Sequence, residues 1–260
     1  MDLGLKGRRA IVCASSKGLG RACAISLAQA GCEVVINGRN KDMLEATAKE
    51  IAAATGARVI PVVADVGTAE GRKALLGAVS QVDILVNNNG GPPPKDFRQL
   101  SHGDMIAGVE ANMLTPIEMI QGVIDGMVDR KFGRIINITS GSVKAPLPML
   151  DLSSGARAGL TAFVAGIARQ VAASNVTINN ILPGAFMTDR LRATAQASAS
   201  KTPGQTADDV LAARTKLIPA QRLGDPSEFG ELCAFLASAQ AGYITGQNLL
   251  IDGGAFPGAF

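Results

Sequence analysis

The chain has 260 residues, 47% of them apolar, with 25 Lys and Arg against 22 Asp and Glu. That length and composition suit an α/β unit with a large core and exclude a disordered chain. A net charge of +3 with no basic run excludes a broad nucleic-acid surface, and a single histidine excludes a His-based metal centre or a Ser-His-Asp triad.

Short apolar runs alternate with helical patterns. Strands are predicted at "RAIVC" (9–13), "EVVIN" (33–37), "RVIPVVAD" (58–65), "VDILVNN" (82–88), "GRIINIT" (133–139), "VTINNIL" (176–182) and "QNLLID" (247–252). Helices are predicted between them, at about 19–30, 42–55, 69–79, 103–128, 153–173 and 226–237. Strands rich in Val and Ile without polar alternation are buried on both faces, as in a parallel sheet. Regular β-α alternation then gives a doubly wound Rossmann fold, a seven-stranded parallel sheet with helices on both faces. No linker interrupts residues 1–260, so one domain is expected. The Ala/Ser/Thr-rich segment 189–215 is poorly patterned and is expected to be a flexible flap over the substrate.

The opening "MDLGLKGRRAIVCAS" holds no apolar run of signal or membrane length. Cys13, Cys23, Cys32 and Cys233 have no metal-type spacing. They are expected as free, buried thiols in a cytoplasmic protein, with no metal site.

The sequence "CASSKGLG" (13–20) leaves the first strand and opens the first helix. Gly18 and Gly20 let the backbone approach a pyrophosphate at a helix N-terminus, where free N–H groups and the dipole favour anions. The second strand ends "VVINGRN" without the acid that would bond a ribose 2′-hydroxyl. Arg39 and Lys17 instead place two cations where a 2′-phosphate would lie, so NADP(H) is expected over NAD(H).

Further motifs follow in order: "ADV" (64–66), "NNNG" (87–90), "PGAFMT" (183–188), "RLGDPSEFG" (222–230) and "YITGQNLLIDGG" (243–254). Together they make nearly the whole chain resemble the short-chain dehydrogenase/reductase family, most closely its β-ketoacyl-carrier-protein-reductase-like members. The resemblance implies cofactor contacts from Ser15, Ser16, Lys17, Gly18, Leu19, Gly20, Arg39, Asp65, Val66, Asn88, Asn89, Gly90, Arg157, Pro183, Gly184 and Thr188. It implies a small carbonyl or alcohol substrate, no membrane or nucleic-acid partner, and a homodimer or homotetramer built on two long helices. Ala14 stands where the family has its first loop glycine, and Asn89 departs from NNAG. Three prolines, Pro92 to Pro94, stiffen the loop that follows.

The catalytic set departs further. Asn112 in "EANMLT" and Ser140 in "INITSGS" match the family's Asn and Ser. The Tyr and Lys places, one helical turn apart, hold Ser153 and Arg157. A serine is a far weaker acid than a phenol, and an arginine is no base at neutral pH. Arg157 can still bond the ribose, and it can stabilise a developing alkoxide. The expectation is therefore an atypical NADP(H)-dependent oxidoreductase. The alternative is an impaired nucleotide-binding protein acting as sensor or partner subunit. Asp151 is expected to cap its helix, with Lys144 solvated and His102 at the surface behind a Ser101 cap. The alternative for Ser153 and Ser154 is that they simply begin the helix. Tyr243, the only tyrosine, lies in the C-terminal signature.

Overall fold

The computed structural model describes residues 2–259. Its strands are β1 (Arg9–Val12), β2 (Glu33–Gly38), β3 (Val59–Val63), β4 (Ile84–Asn87), β5 (Gly133–Ile138), β6 (Val176–Pro183) and β7 (Asn248–Ile251). They form one parallel sheet in the order β3-β2-β1-β4-β5-β6-β7. Each predicted strand forms. Parallel crossovers need helices on both faces, and the apolar residues divide accordingly. On one face α1 (Gly18–Gln29), α2 (Lys41–Thr55) and α9 (Pro226–Ala237) cover a core that includes Leu27, Leu44, Ile36 and Phe229. On the other, α3 (Ala69–Leu76), α5 (Thr115–Asp129) and α6 (Asp151–Val171) cover Leu75, Ile120, Leu85 and Leu160. The strand order reverses between β1 and β4, and that crevice is where open α/β sheets bind ligands.

Three segments differ from expectation. The long helix at 103–128 is instead α4 (His102–Val109), a π-helical turn (Glu110–Leu114) and α5. A π turn keeps the apolar spacing nearly unbroken, so periodicity does not reveal it. α6 begins at Asp151, so Ser153 and Ser154 lie within its first turn. The 189–215 segment, expected as an unpatterned flap, forms α7 (Asp189–Ala199) and α8 (Ala207–Lys216), capped by Thr188 and Thr206. Ala195, Ala199, Val210 and Leu211 form their own small core. On the α7 side alanine methyls supply the buried contact, a weak hydrophobic signal beside the many Ser and Thr residues.

A polar feature crosses the sheet. Asn87, Asn137, Asn180 and Asn248 are register partners on adjacent strands. Each amide donates to the next: Asn87 Nδ2 to Asn137 Oδ1 (2.9 Å), Asn137 Nδ2 to Asn180 Oδ1 (3.0 Å), and Asn180 Nδ2 to Asn248 Oδ1 (2.7 Å). The first three are buried, where amides are tolerated only when bonded. Asn137→Ala removes a donor and an acceptor, leaving Asn87 and Asn180 each short of a partner. The expected loss is about 2–4 kcal/mol by urea unfolding, at 1–3 kcal/mol for each stranded group.

Candidate active site

The loop after β1 is held from both sides. Ser15 N–H donates to the Asn37 carbonyl (2.8 Å), and its Oγ donates to Val12 O (2.7 Å) while accepting from Asn37 N (3.0 Å). Ser15 is wholly buried, so its polar groups fasten the loop to β2 rather than face a ligand. Asn88, just past β4, donates through Nδ2 to Ala14 O (3.0 Å) and ties the two loops across the crevice. Ala14 takes φ +45°, the left-handed region a glycine would occupy freely. The chain keeps the turn despite the methyl. Gly18 also has positive φ (+61°). Gly20 lies so close to the loop that a Cβ would come 2.5 Å from Ala14 O and 2.8 Å from Asn88 Nδ2.

α1 begins at Gly18 with Lys17 at its N-cap, no side-chain cap and no acid in its first turn. Its leading N–H groups are therefore open to an anion. Lys17 is exposed. Ser16 is partly buried, with its carbonyl accepting from Thr47 Oγ1 (3.0 Å). Leu19 is partly buried and packs on the core. Arg39, one residue beyond β2, is 81% exposed and stands 3.6 Å from Asp65. Asp65 also accepts from Gly67 N–H (2.9 Å), and Val66 is buried. The loops after β1, β2 and β3 thus line the same edge of the sheet.

The second half of the site gathers at β4, β5 and α6. The π turn is stitched to the loop after β4. Asn89 Nδ2 donates to Ala111 O (3.3 Å), and Asn112 Nδ2 donates to Gly90 O (3.5 Å). Asn112 Oδ1 is buried and has no partner among the described residues. It borders a cavity of about 10 Å³, room for one water, also lined by Asn88, Asn89, Ile138 and Arg157. Gly90 faces open space where a Cβ would point.

Arg157 is 8% exposed. Its Nη1 donates to Ile138 O (2.8 Å), its Nη2 to Asn89 O (3.4 Å) and its Nε to Ser153 Oγ (3.3 Å). Burial, with the like charge of Arg190 adding, pushes its pKa down to about 10, so it stays charged at neutral pH. Ser140 follows β5, and its Oγ accepts from both Ser142 N–H (3.1 Å) and Ser142 Oγ (2.9 Å). Ser140 and Ser153 therefore each accept internally and keep their own O–H free to donate. The turn carrying Ser140 packs on α6. Ser153 is bonded to Arg157 and the turn carrying Ser140 packs on the same helix, and hydroxyl donors beside a guanidinium are suited to stabilising negative charge on an oxygen.

Pro183, Gly184 and Thr188 leave the end of β6. Gly184 N–H donates to Ile251 O (2.9 Å), and Thr188 Oγ1 accepts from Leu191 N–H (3.2 Å). Other candidates stand apart from the cluster. Asp151 does not cap α6; Leu150 holds the N-cap place without a side-chain bond, and Asp151 is exposed in the first turn. Lys144 lies over the Phe256 ring (5.6 Å). His102 is exposed behind the Ser101–Asp104 capping box. Tyr243 is fully exposed. Sequence reasoning missed Arg190, whose Nη2 donates to Gly91 O (3.5 Å); no motif marked it.

Comparison with known proteins shows the family. The family described as enoyl-(acyl carrier protein) reductase matches residues 13–255. The chain belongs to the short-chain dehydrogenase/reductase family. It is 33% identical to the NADPH-dependent reductase BacG of Bacillus subtilis, over 95% of this chain and 97% of that one. It is 33% identical to the 3-oxoacyl-[acyl-carrier-protein] reductase FabG of Vibrio harveyi, over 98% and 99%. The structure of L-sorbose reductase from Gluconobacter frateurii, complexed with NADPH and L-sorbose, superposes with a TM-score of 0.94 at 29% identity, covering 99% of this chain and 100% of that one. Membership places the chain among NAD(P)-dependent oxidoreductases.

Gly20→Ala is expected to destabilise the protein by about 1–3 kcal/mol through overpacking against Ala14 and Asn88. Gly155→Ala, on an exposed helical position with open space around it, is expected to gain up to about 1 kcal/mol. Urea unfolding of the two variants side by side checks both signs.

Proposed function

We propose that the chain is an NADP(H)-dependent reductase or dehydrogenase of a small carbonyl or alcohol substrate, 3-oxoacyl-reductase-like in its general chemistry. The observation that supports this reading is the uncapped α1 N-terminus on the same sheet edge as a small cavity lined by Asn112 and Arg157, the latter bonded to Ser153. The residues present fit a dinucleotide. The α1 N–H groups with Gly18 and Gly20 would hold its pyrophosphate. Arg39 and Lys17 would hold a 2′-phosphate, and Asp65 and Val66 would border the adenine. Asn88 to Gly90, with Pro183, Gly184 and Thr188, would border the nicotinamide half, and Arg157 its ribose. When bound, the cofactor supplies or accepts the hydride.

The protein's own part is to orient the substrate oxygen between the free hydroxyls of Ser140 and Ser153. Arg157 is fixed by three neutral oxygens and sets a positive potential there. It stabilises negative charge on the oxygen without itself transferring a proton. The final proton comes from water. The cavity beside Asn112 Oδ1 is sized and lined for one water that could take part. Without a phenol the site forgoes general acid help worth on the order of 10²–10⁴ in rate, while keeping the larger advantage of orientation.

A second reading, nucleotide binding with negligible turnover, is favoured by one observation: the site cluster contains no side chain that titrates near neutral pH. Both readings fit a homodimer or homotetramer. The exposed apolar residues Met105, Ile106, Leu114 and Phe163 lie on α4, the π turn and α6, where the family resemblance places a subunit contact. Among the described residues no helix is long and apolar enough to cross a membrane. The buried free thiols suit a reducing compartment such as the cytoplasm.

Titration followed by nicotinamide fluorescence is expected to show micromolar NADPH binding and weaker NADH binding. Arg39→Ala should weaken NADPH about tenfold by removing one phosphate contact, while barely affecting NADH. Equal affinity for both nucleotides would remove the NADP assignment. Ser153→Tyr with Arg157→Lys is expected to raise carbonyl reduction, by about 10²-fold if general acid help is restored. No gain across a broad carbonyl panel would favour the second reading.

A further inference from the structure

Arg157 is a buried cation bonded only to neutral oxygens, and Arg190 stands beside it. Among the described residues neither guanidinium has an acidic partner, although eleven ion pairs occur elsewhere in the chain. Both side chains converge on Gly91. From the point a Cβ would occupy there, Ser153 Oγ lies at 3.3 Å, Arg190 Nη2 at 3.4 Å and Arg157 Nη2 at 3.7 Å. One hydroxyl donor and two guanidiniums therefore close in around Gly91, which leaves them room only because it has no side chain. Like charges at that distance repel, and removing one of them from water adds to the cost. A bound anion offsets both. A guanidinium fork matches the planar oxygens of a carboxylate.

We propose that Arg157 and Arg190 form a carboxylate subsite beside Gly91, with the Ser153 hydroxyl left to the reacting oxygen, so that the substrate is an oxo acid or the corresponding hydroxy acid. This rests on the reductase reading above and gives it a substrate class. In the reducing direction the carbonyl carbon receives the hydride, its oxygen takes a proton from water, and the carboxylate is unchanged. A shallow cleft adjoins Ser153, lined by Pro92, Pro93, Leu100, Met149 and Leu150. Lys95 on its rim is already paired with Asp104 (2.6 Å), so the cleft adds no second anion site.

The test uses the full chain and its Arg190→Gln variant, a change at an exposed residue. NADPH affinity is read first by nicotinamide fluorescence. NADPH oxidation is then followed with pyruvate, acetoacetate and levulinate against their methyl esters. Thermal shift with butyrate or inorganic phosphate, without nucleotide, gives a readout independent of turnover. The expected result is a preference for acid over ester of about tenfold, one charge-assisted contact, together with stabilisation by butyrate. Arg190→Gln should abolish both while leaving NADPH affinity unchanged. Esters binding and reacting as well as acids would overturn the proposal. So would phosphate stabilising the protein while butyrate does not, or Arg190→Gln weakening NADPH instead, since the pair would then serve the nucleotide. If no nucleotide binds, the reductase reading fails on the fluorescence arm alone. Butyrate stabilisation lost in Arg190→Gln would still support the subsite, and its absence would overturn it.

Discussion

The asparagine ladder across β4, β5, β6 and β7 is the constraint on which the site's geometry depends. A parallel sheet sets strand spacing, but each strand can still slip along its neighbour unless something penalises the wrong register. Here a slip at any of these strands would strand buried amides without partners, a cost far above that of exchanging one Val for another. The ladder lies at the carboxyl ends of β4 and β5, midway along β6 and at the amino end of β7. The loops after β4 and β5 therefore leave the sheet close to one level. The carbonyls of Asn89 and Ile138 can then reach the same guanidinium.

The π turn completes this arrangement from above. An extra residue in the helix frees the carbonyl of Ala111, and the Asn89 side chain takes it up. That bond fixes the loop whose own carbonyl holds Arg157. The departure of Asn89 from the family motif thus has a local reason: an amide donor stands where it can meet the opened helix. A chain of neutral contacts positions the buried charge of Arg157, and the charge itself remains available to a ligand.

The strands were legible because Val and Ile runs leave few alternatives, and the glycine loop because its spacing follows a strand and opens a helix. The ladder was not, since Asn87, Asn137, Asn180 and Asn248 are far apart in the chain and only register makes them neighbours. The break between α4 and α5 was hidden because a π turn preserves the apolar face. α7 and α8 were hidden because their contact is made by Ala195 and Ala199. Asp151 was assigned a cap from its residue type, whereas the helix simply begins one residue earlier than such a cap requires. Ser153 and Arg157 were found by spacing, but their oxygen partners and the nearness of Arg190 belong to the tertiary structure.

The contact between α1 and α9 has a consequence for how the molecule comes into being. At Gly230 a Cβ would lie 2.5 Å from Ala22 O, so the two helices touch almost backbone to backbone, and Cys23 and Cys233 sit side by side behind them. The first helix is translated early, and its backing wall arrives near the end of synthesis. Until α9 and β7 emerge, the nascent chain carries the apolar face of α1 unpaired, a surface that chaperones recognise and aggregation exploits. A nucleotide stabilises only the folded form, so it can assist this chain only after the last strand has joined the sheet.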